Sequence, residues 1–208
     1  AGGNTAGPVS GKAYATCGLE FSNNIISIPV FHAQTGAEFN VNVAALFFPY
    51  RTVTGGPGWI GGWARNAFDN GPITVADSFF SPGINPGTQF LDNGGGSFTL
   101  NLAGVPGAPA VASQHGVLLT TGGKNEDNYS LSRANADGTF SLFVRDNGVA
   151  TGLERDPIAF AYIPAESTGV VAGRVRGNGT QTRGAGSGTF TTTTAGVAAG
   201  QVLLTVPG

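Results

Sequence analysis

Trp59 and Trp63 are the residues whose type and spacing most directly suggest chemistry. Gly61 lies between them and Arg65 follows two positions on. On a strand, alternate residues share a face, so Trp59, Gly61, Trp63 and Arg65 line one side. The two indoles then stand about 13 Å apart. A flat aromatic floor suits the apolar C–H faces of sugar rings, and Arg65 can donate hydrogen bonds to hydroxyls. Phe79 and Phe80 follow in the chain. They are expected either to wall such a cleft or to fold back over the tryptophans as a satellite core. Trp59, Trp63, Arg65, Phe79 and Phe80 are therefore the candidate ligand-binding residues. If the indoles are accessible, Trp63→Ala should weaken polysaccharide binding and leave stability nearly unchanged.

Catalytic groups are sparse. His32 and His115 are the only histidines, and neither has the spacing of a metal site. Gly186-Ser187-Gly188 lacks the spacing and the helix of a nucleophile elbow. Half of the 12 acids stand directly beside turn-forming Gly or Asn. They read as solvated loop residues rather than the positioned carboxylate pair of a glycosidase. The run Lys124-Asn125-Glu126-Asp127-Asn128 offers oxygen ligands for Ca²⁺ near Glu126 and Asp127, without the Asp-x-Asp-x-Asp-Gly spacing. No catalytic residue, metal or other cofactor is expected. Cys17 stands alone, so there is no internal disulfide, and it reads as a small buried hydrophobe.

The elements that must position these residues are strands. The chain of 208 residues holds 35 Gly and 12 Pro, a density that breaks helices of ordinary length. Charged residues are 11%, against about 25% in a usual domain. The hydrophobic share of 40% excludes disorder driven by charge. A net charge of −2 provides no basic stripe for nucleic acid. No run of about 18 apolar residues predicts a membrane helix.

The sequence also matches itself. Phe47-Phe48-Pro49-Tyr50 and Gly58 to Arg65 correspond to Tyr162-Ile163-Pro164-Ala165 and Gly169 to Arg176. Gly96-Ser97-Phe98-Thr99 corresponds to Gly188-Thr189-Phe190-Thr191, and Val117 to Thr120 corresponds to Val202 to Thr205. Tyr14 and Tyr129 share the offset of Pro49 and Pro164. The order is kept, which points to two related β repeats, 11–121 and 125–207, closely packed. The first repeat carries a long insertion, 67–95, whose turn formers and aromatics predict an ordered, packed loop.

Strands are expected near 12–17, 25–31, 41–48, 59–65, 96–103 and 115–121. The second repeat should hold 128–134, 139–146, 157–163, 169–176, 188–195 and 200–206. Asn135-Ala136-Asp137-Gly138 joins two of these as a hairpin. Arg174 and Arg176 are taken to mark the outward face of 169–176, and by correspondence the tryptophan face of 59–65.

The fold class is therefore all-β: two tandem antiparallel repeats with little or no helix, in a β-sandwich or jelly-roll-like architecture. The expected function is non-catalytic. The first choice is a glycan-binding or adhesive module outside the cytoplasm, at a cell or virion surface. The alternative is a structural subunit of an extracellular fibre, coat or virion. The third is a polysaccharide-active enzyme on a jelly-roll-like scaffold. Expected partners are a glycan or copies of the chain, as a homo-oligomer or filament, without nucleic acid or membrane insertion. In a filament, 1–10 is the expected connector.

Overall fold

Period-two burial organises the centre of the molecule. Phe98 and Leu100 alternate with Ser97 and Thr99, and Phe140, Leu142 and Val144 alternate with Ser141, Phe143 and Arg145. Antiparallel pairing sets Leu142 opposite Phe98 and Phe140 opposite Leu100, so both strands turn their apolar sides the same way. The computed structural model describes residues 13–15, 18–20, 25–28, 30–32, 58–66, 71–122, 128–146, 152–168, 170–175, 178, 180–186, 190–196 and 202–205. The stretch 1–10, the strand expected over 41–48, and Glu126 and Asp127 lie outside them.

The first strands are short: β1 (Ala13–Ala15), β2 (Gly18–Glu20), β3 (Ile25–Ser27) and β4 (Val30–His32). They form two antiparallel pairs, β1 with β4 and β2 with β3. Then come β5 (Ile60–Asn66), β6 (Ile73–Phe80), β7 (Phe90–Gly94), β8 (Ser97–Leu100) and β9 (Gly116–Gly122). After these run β10 (Tyr129–Ala134), β11 (Phe140–Arg145) and β12 (Ile158–Pro164). Two four-stranded antiparallel sheets result, in the orders β6-β5-β12-β9 and β10-β11-β8-β7. Hairpins β5–β6, β7–β8 and β10–β11 are local, while β5–β12 and β8–β11 close across the chain. The inner faces meet in one core that includes Ile60, Ala64, Ile158, Phe160 and Tyr162 from the first sheet. Phe90, Phe98, Leu100, Phe140, Leu142 and Val144 face them from the second. Sheet on sheet is the sandwich arrangement.

Four short strands follow: β13 (Val171–Val175), β14 (Gln181–Gly186), β15 (Thr191–Thr193) and β16 (Leu203–Thr205). The β13–β14 hairpin lies over β9 and β12. There Val170 and Ala172 pack with Trp59 against Val117 and Ile163 on the outer side of the first sheet. The face of β13 expected to point outward is thus the one that packs, although Arg174 on it is exposed. Small apolar residues at one end of the face meet the sheet, and the long arginine reaches past it.

The stretch 67–95 contributes strands β6 and β7, where a packed loop was expected; Pro82 and Pro86 stand between them. β6 edges one sheet and β7 the other. β12 of the 125–207 half lies between β5 and β9 of the 11–121 half, so both sheets draw on both halves. Segments matched in sequence have different neighbours: β8, with Phe98, lies between β7 and β11, whereas β15, beside Phe190, pairs with β16.

Tyr162 ties the turn before β9 to the core. Its hydroxyl lies 3.0 and 2.9 Å from the carbonyl oxygens of Ala112 and His115, which share its one hydrogen. Burial, and secondarily the charge of Glu166, raises its pKa well above the ordinary 10, so it remains a donor. A side chain at Gly116 would collide with that hydroxyl.

Candidate functional site

β5 divides its residues between two environments. Ile60 and Ala64 enter the core, and Trp63 and Arg65 project from the opposite face. A bulge falls between Trp63 and Arg65 where β5 pairs with β6. The Arg65 N–H donates to the Ser78 hydroxyl at 2.9 Å, which in turn donates to the Thr74 carbonyl. Bulges re-aim side chains, and here the Arg65 guanidinium carbon stands 5.8 Å from the centre of the Trp63 ring. Directly across the strand pair, Phe79 lies 6.3 Å from Trp63 with the rings 9° from parallel.

The candidate residues separate as follows. Trp63, Arg65 and Phe79 come together. Trp63 is only 4% exposed, while Phe79 is 43% exposed and Arg65 half-buried. Trp59 is half-buried in the cluster with Val117 and Ile163. Phe80 sits on the other side of the sheet, 5.4 Å from Phe90 and 6.3 Å from Phe160, ring centre to ring centre. Consecutive residues of a strand point to opposite faces, so Phe79 and Phe80 cannot serve one wall. The accessible aromatic surface of this ledge is therefore Phe79, backed by Trp63.

A second polar constellation lies near the end of β5. Asp156 is 1% exposed, and Asn66 and Asn128 beside it are 7% and 3% exposed. The Asn128 amide donates to Asp156 Oδ2. The Asn66 amide donates to the Arg155 carbonyl at 2.9 Å and lies 3.4 Å from Asp156 Oδ1. Buried carboxylates are tolerated where hydrogen bonds replace water. The Arg155 guanidinium turns to Asp92 on β7, with Nη2 to Oδ2 at 2.6 Å and Nε to Oδ1 and Oδ2 at 3.2 and 3.0 Å. Asp92 also accepts from the N–H of Ile73 and Gly94. Burial works to raise the Asp92 pKa. The Arg155 hydrogen bond, those backbone N–H groups and the guanidinium charge outweigh it and hold the carboxyl below its ordinary 3.8.

Comparisons with family models, with curated proteins and with solved structures find no match to this chain. Sequence reasoning missed the Asp156 constellation entirely. Asn66 and Asn128 stand 90 and 28 residues from Asp156, and no local motif links them. Among the described residues, no three His, Cys, Asp or Glu side chains converge.

Proposed function

We propose that this chain is a non-catalytic, glycan-binding or adhesive β-sandwich module that works outside the cytoplasm. The observation that supports this reading is the exposed Phe79 ring held parallel to buried Trp63, with Arg65 alongside. An aromatic face held rigid by packing loses little entropy on binding, and stacking a sugar ring covers apolar C–H surface. Arg65 supplies donors for hydroxyl oxygens. The test is a polysaccharide panel read by affinity electrophoresis, with wild type, Phe79→Ala and Arg65→Ala side by side. Phe79→Ala should weaken binding about tenfold, or ~1.4 kcal/mol. A wild-type chain that retains no polysaccharide, or a Phe79→Ala chain that binds as well as wild type, overturns the reading.

The structural-subunit reading has its own observation. Leu203 and Leu204 on β16 are 49% and 54% exposed. As strand neighbours they occupy opposite faces of the β15–β16 ribbon, and two-stranded ribbons are marginal alone. Copies of the chain would be the partner that covers them.

A further inference from the structure

We propose that the β15–β16 ribbon of one copy of the chain docks on the outer face of the second sheet of another copy, over Leu131, Phe143 and Leu153. This rests on the structural-subunit reading and names the surface that covers the ribbon. Phe140, Leu142 and Val144 of β11 enter the core, so Phe143 and Arg145 point outward. Leu131 stands directly opposite Phe143, and Arg145 stands between Tyr129 on β10 and Leu153 on its other side. Residues directly opposite each other share a face, so all five lie on the outside of the sandwich. An antiparallel sheet with one buried face ordinarily keeps the other polar. Here Leu131 and Leu153 are 45% and 40% exposed, beside half-buried Phe143. With the Arg145 stem next to them they form an apolar patch about 10 Å across.

The ribbon matches the patch in character and size. Its strands are Thr191-Thr192-Thr193 and Leu203-Leu204-Thr205, without a charge. Three residues of strand span about 10 Å, the width of the patch. Leu203 and Leu204 point to opposite faces and are 49% and 54% exposed, so each face of the ribbon leaves a leucine in the open. One copy cannot bring its own two surfaces together. Phe190, immediately before β15, is 8% exposed and lies on Gly173 of β13, where a Cβ would overlap its ring. The β13–β14 hairpin in turn packs on the outer side of the first sheet. The ribbon is thus rooted on one side of the sandwich and the patch lies on the other, with two sheets about 10 Å apart between them. The three residues of β15 do not carry the ribbon round both sheets. A second copy supplies the missing surface. The contact joins two different surfaces, so it closes as a reciprocal pair or repeats from copy to copy. Its small area makes the association weak and dependent on concentration.

The experiment follows the mass of the full chain by sedimentation velocity and light scattering over a concentration series. Wild type should gain mass as concentration rises. Leu131→Lys and Leu204→Lys each place a charge in the contact, so each should remain monomeric. Both positions are exposed, so the circular dichroism spectrum and melting temperature should stay those of wild type. The decisive run mixes the two variants. Leu204→Lys keeps an intact patch and Leu131→Lys an intact ribbon, so the mixture should form a one-to-one complex that neither forms alone. If either variant does not fold, the uncharged pair Leu131→Ser and Leu204→Ser takes its place in the mixing run. A wild type that stays monomeric throughout overturns the proposal together with the structural-subunit reading. A Leu131→Lys chain that associates as well as wild type leaves that reading standing and overturns the proposal, because the ribbon then docks elsewhere. So does a mixture of folded variants that forms no complex.

Discussion

Trp63 and Phe79 touch each other, yet their substitutions should have opposite signatures. Trp63 is 4% exposed, so Trp63→Ala removes a packed indole and should cost about 3–5 kcal/mol. Phe79 is 43% exposed, so Phe79→Ala should cost about 1 kcal/mol or less while removing the exposed ring. Urea denaturation of the two variants beside the polysaccharide panel separates packing from recognition. This replaces the expectation that Trp63→Ala would spare stability, which assumed an accessible indole. Asp92 makes a residue-scale prediction in pH. Its folded pKa lies below 3.8, so the stabilisation from Arg155 and the backbone N–H groups is fully present above about pH 4. It is lost as pH falls through the lowered value. Asp92→Asn should therefore cost about 1–3 kcal/mol at pH 7, and the gap to wild type should close towards pH 2. Urea midpoints at pH 7 and pH 2.5 check this, and a gap that is constant with pH would refute it.

At the scale of elements, β5 depends on a residue that has no side chain. A Cβ on Gly62 would lie 2.5 Å from the Phe160 ring and 2.6 Å from the Phe80 ring. Both rings are wedged among other aromatics, Phe80 and Phe160 each against Phe90. Gly62→Ala should therefore destabilise by about 1–3 kcal/mol through overpacking, read as a drop in melting temperature. An unchanged melt would mean that the rings can move aside. The expected strands 59–65, 96–103, 115–121, 128–134, 139–146 and 157–163 correspond to β5, β8, β9, β10, β11 and β12. Their alternation or β-branched content is carried within the strand itself. β6 and β7 were not legible. Asp77-Ser78 followed by Phe79-Phe80 interrupts alternation in one, and Asp92-Asn93-Gly94 reads as a turn in the other. Both are edge strands, where pairing on one side relaxes the demand for a regular pattern.

For the whole molecule, a single added charge tests assembly. If copies of the chain cover the β15–β16 ribbon, Leu204→Lys should convert an oligomer into a monomer without loss of the β-sheet circular dichroism signal. Size-exclusion chromatography with light scattering reads the change. A wild type that is already monomeric at high concentration would remove the structural-subunit reading.

What the sequence determined by itself follows from short-range physics. Gly and Pro density excluded helix, period-two alternation placed six strands of the sandwich, and the alternate positions of Trp59, Gly61, Trp63 and Arg65 set those residues on one face of β5. Alternation says which residues share a face, and it does not say what covers that face. Only the tertiary structure decided that Trp63 is buried beside an exposed Phe79, that Phe80 packs against the core, and that β12 is inserted between β5 and β9. It alone brought Asn66, Asn128 and Asp156 together, because pairings between distant strands are chosen by the summed burial of whole sheets rather than by any local run of residues.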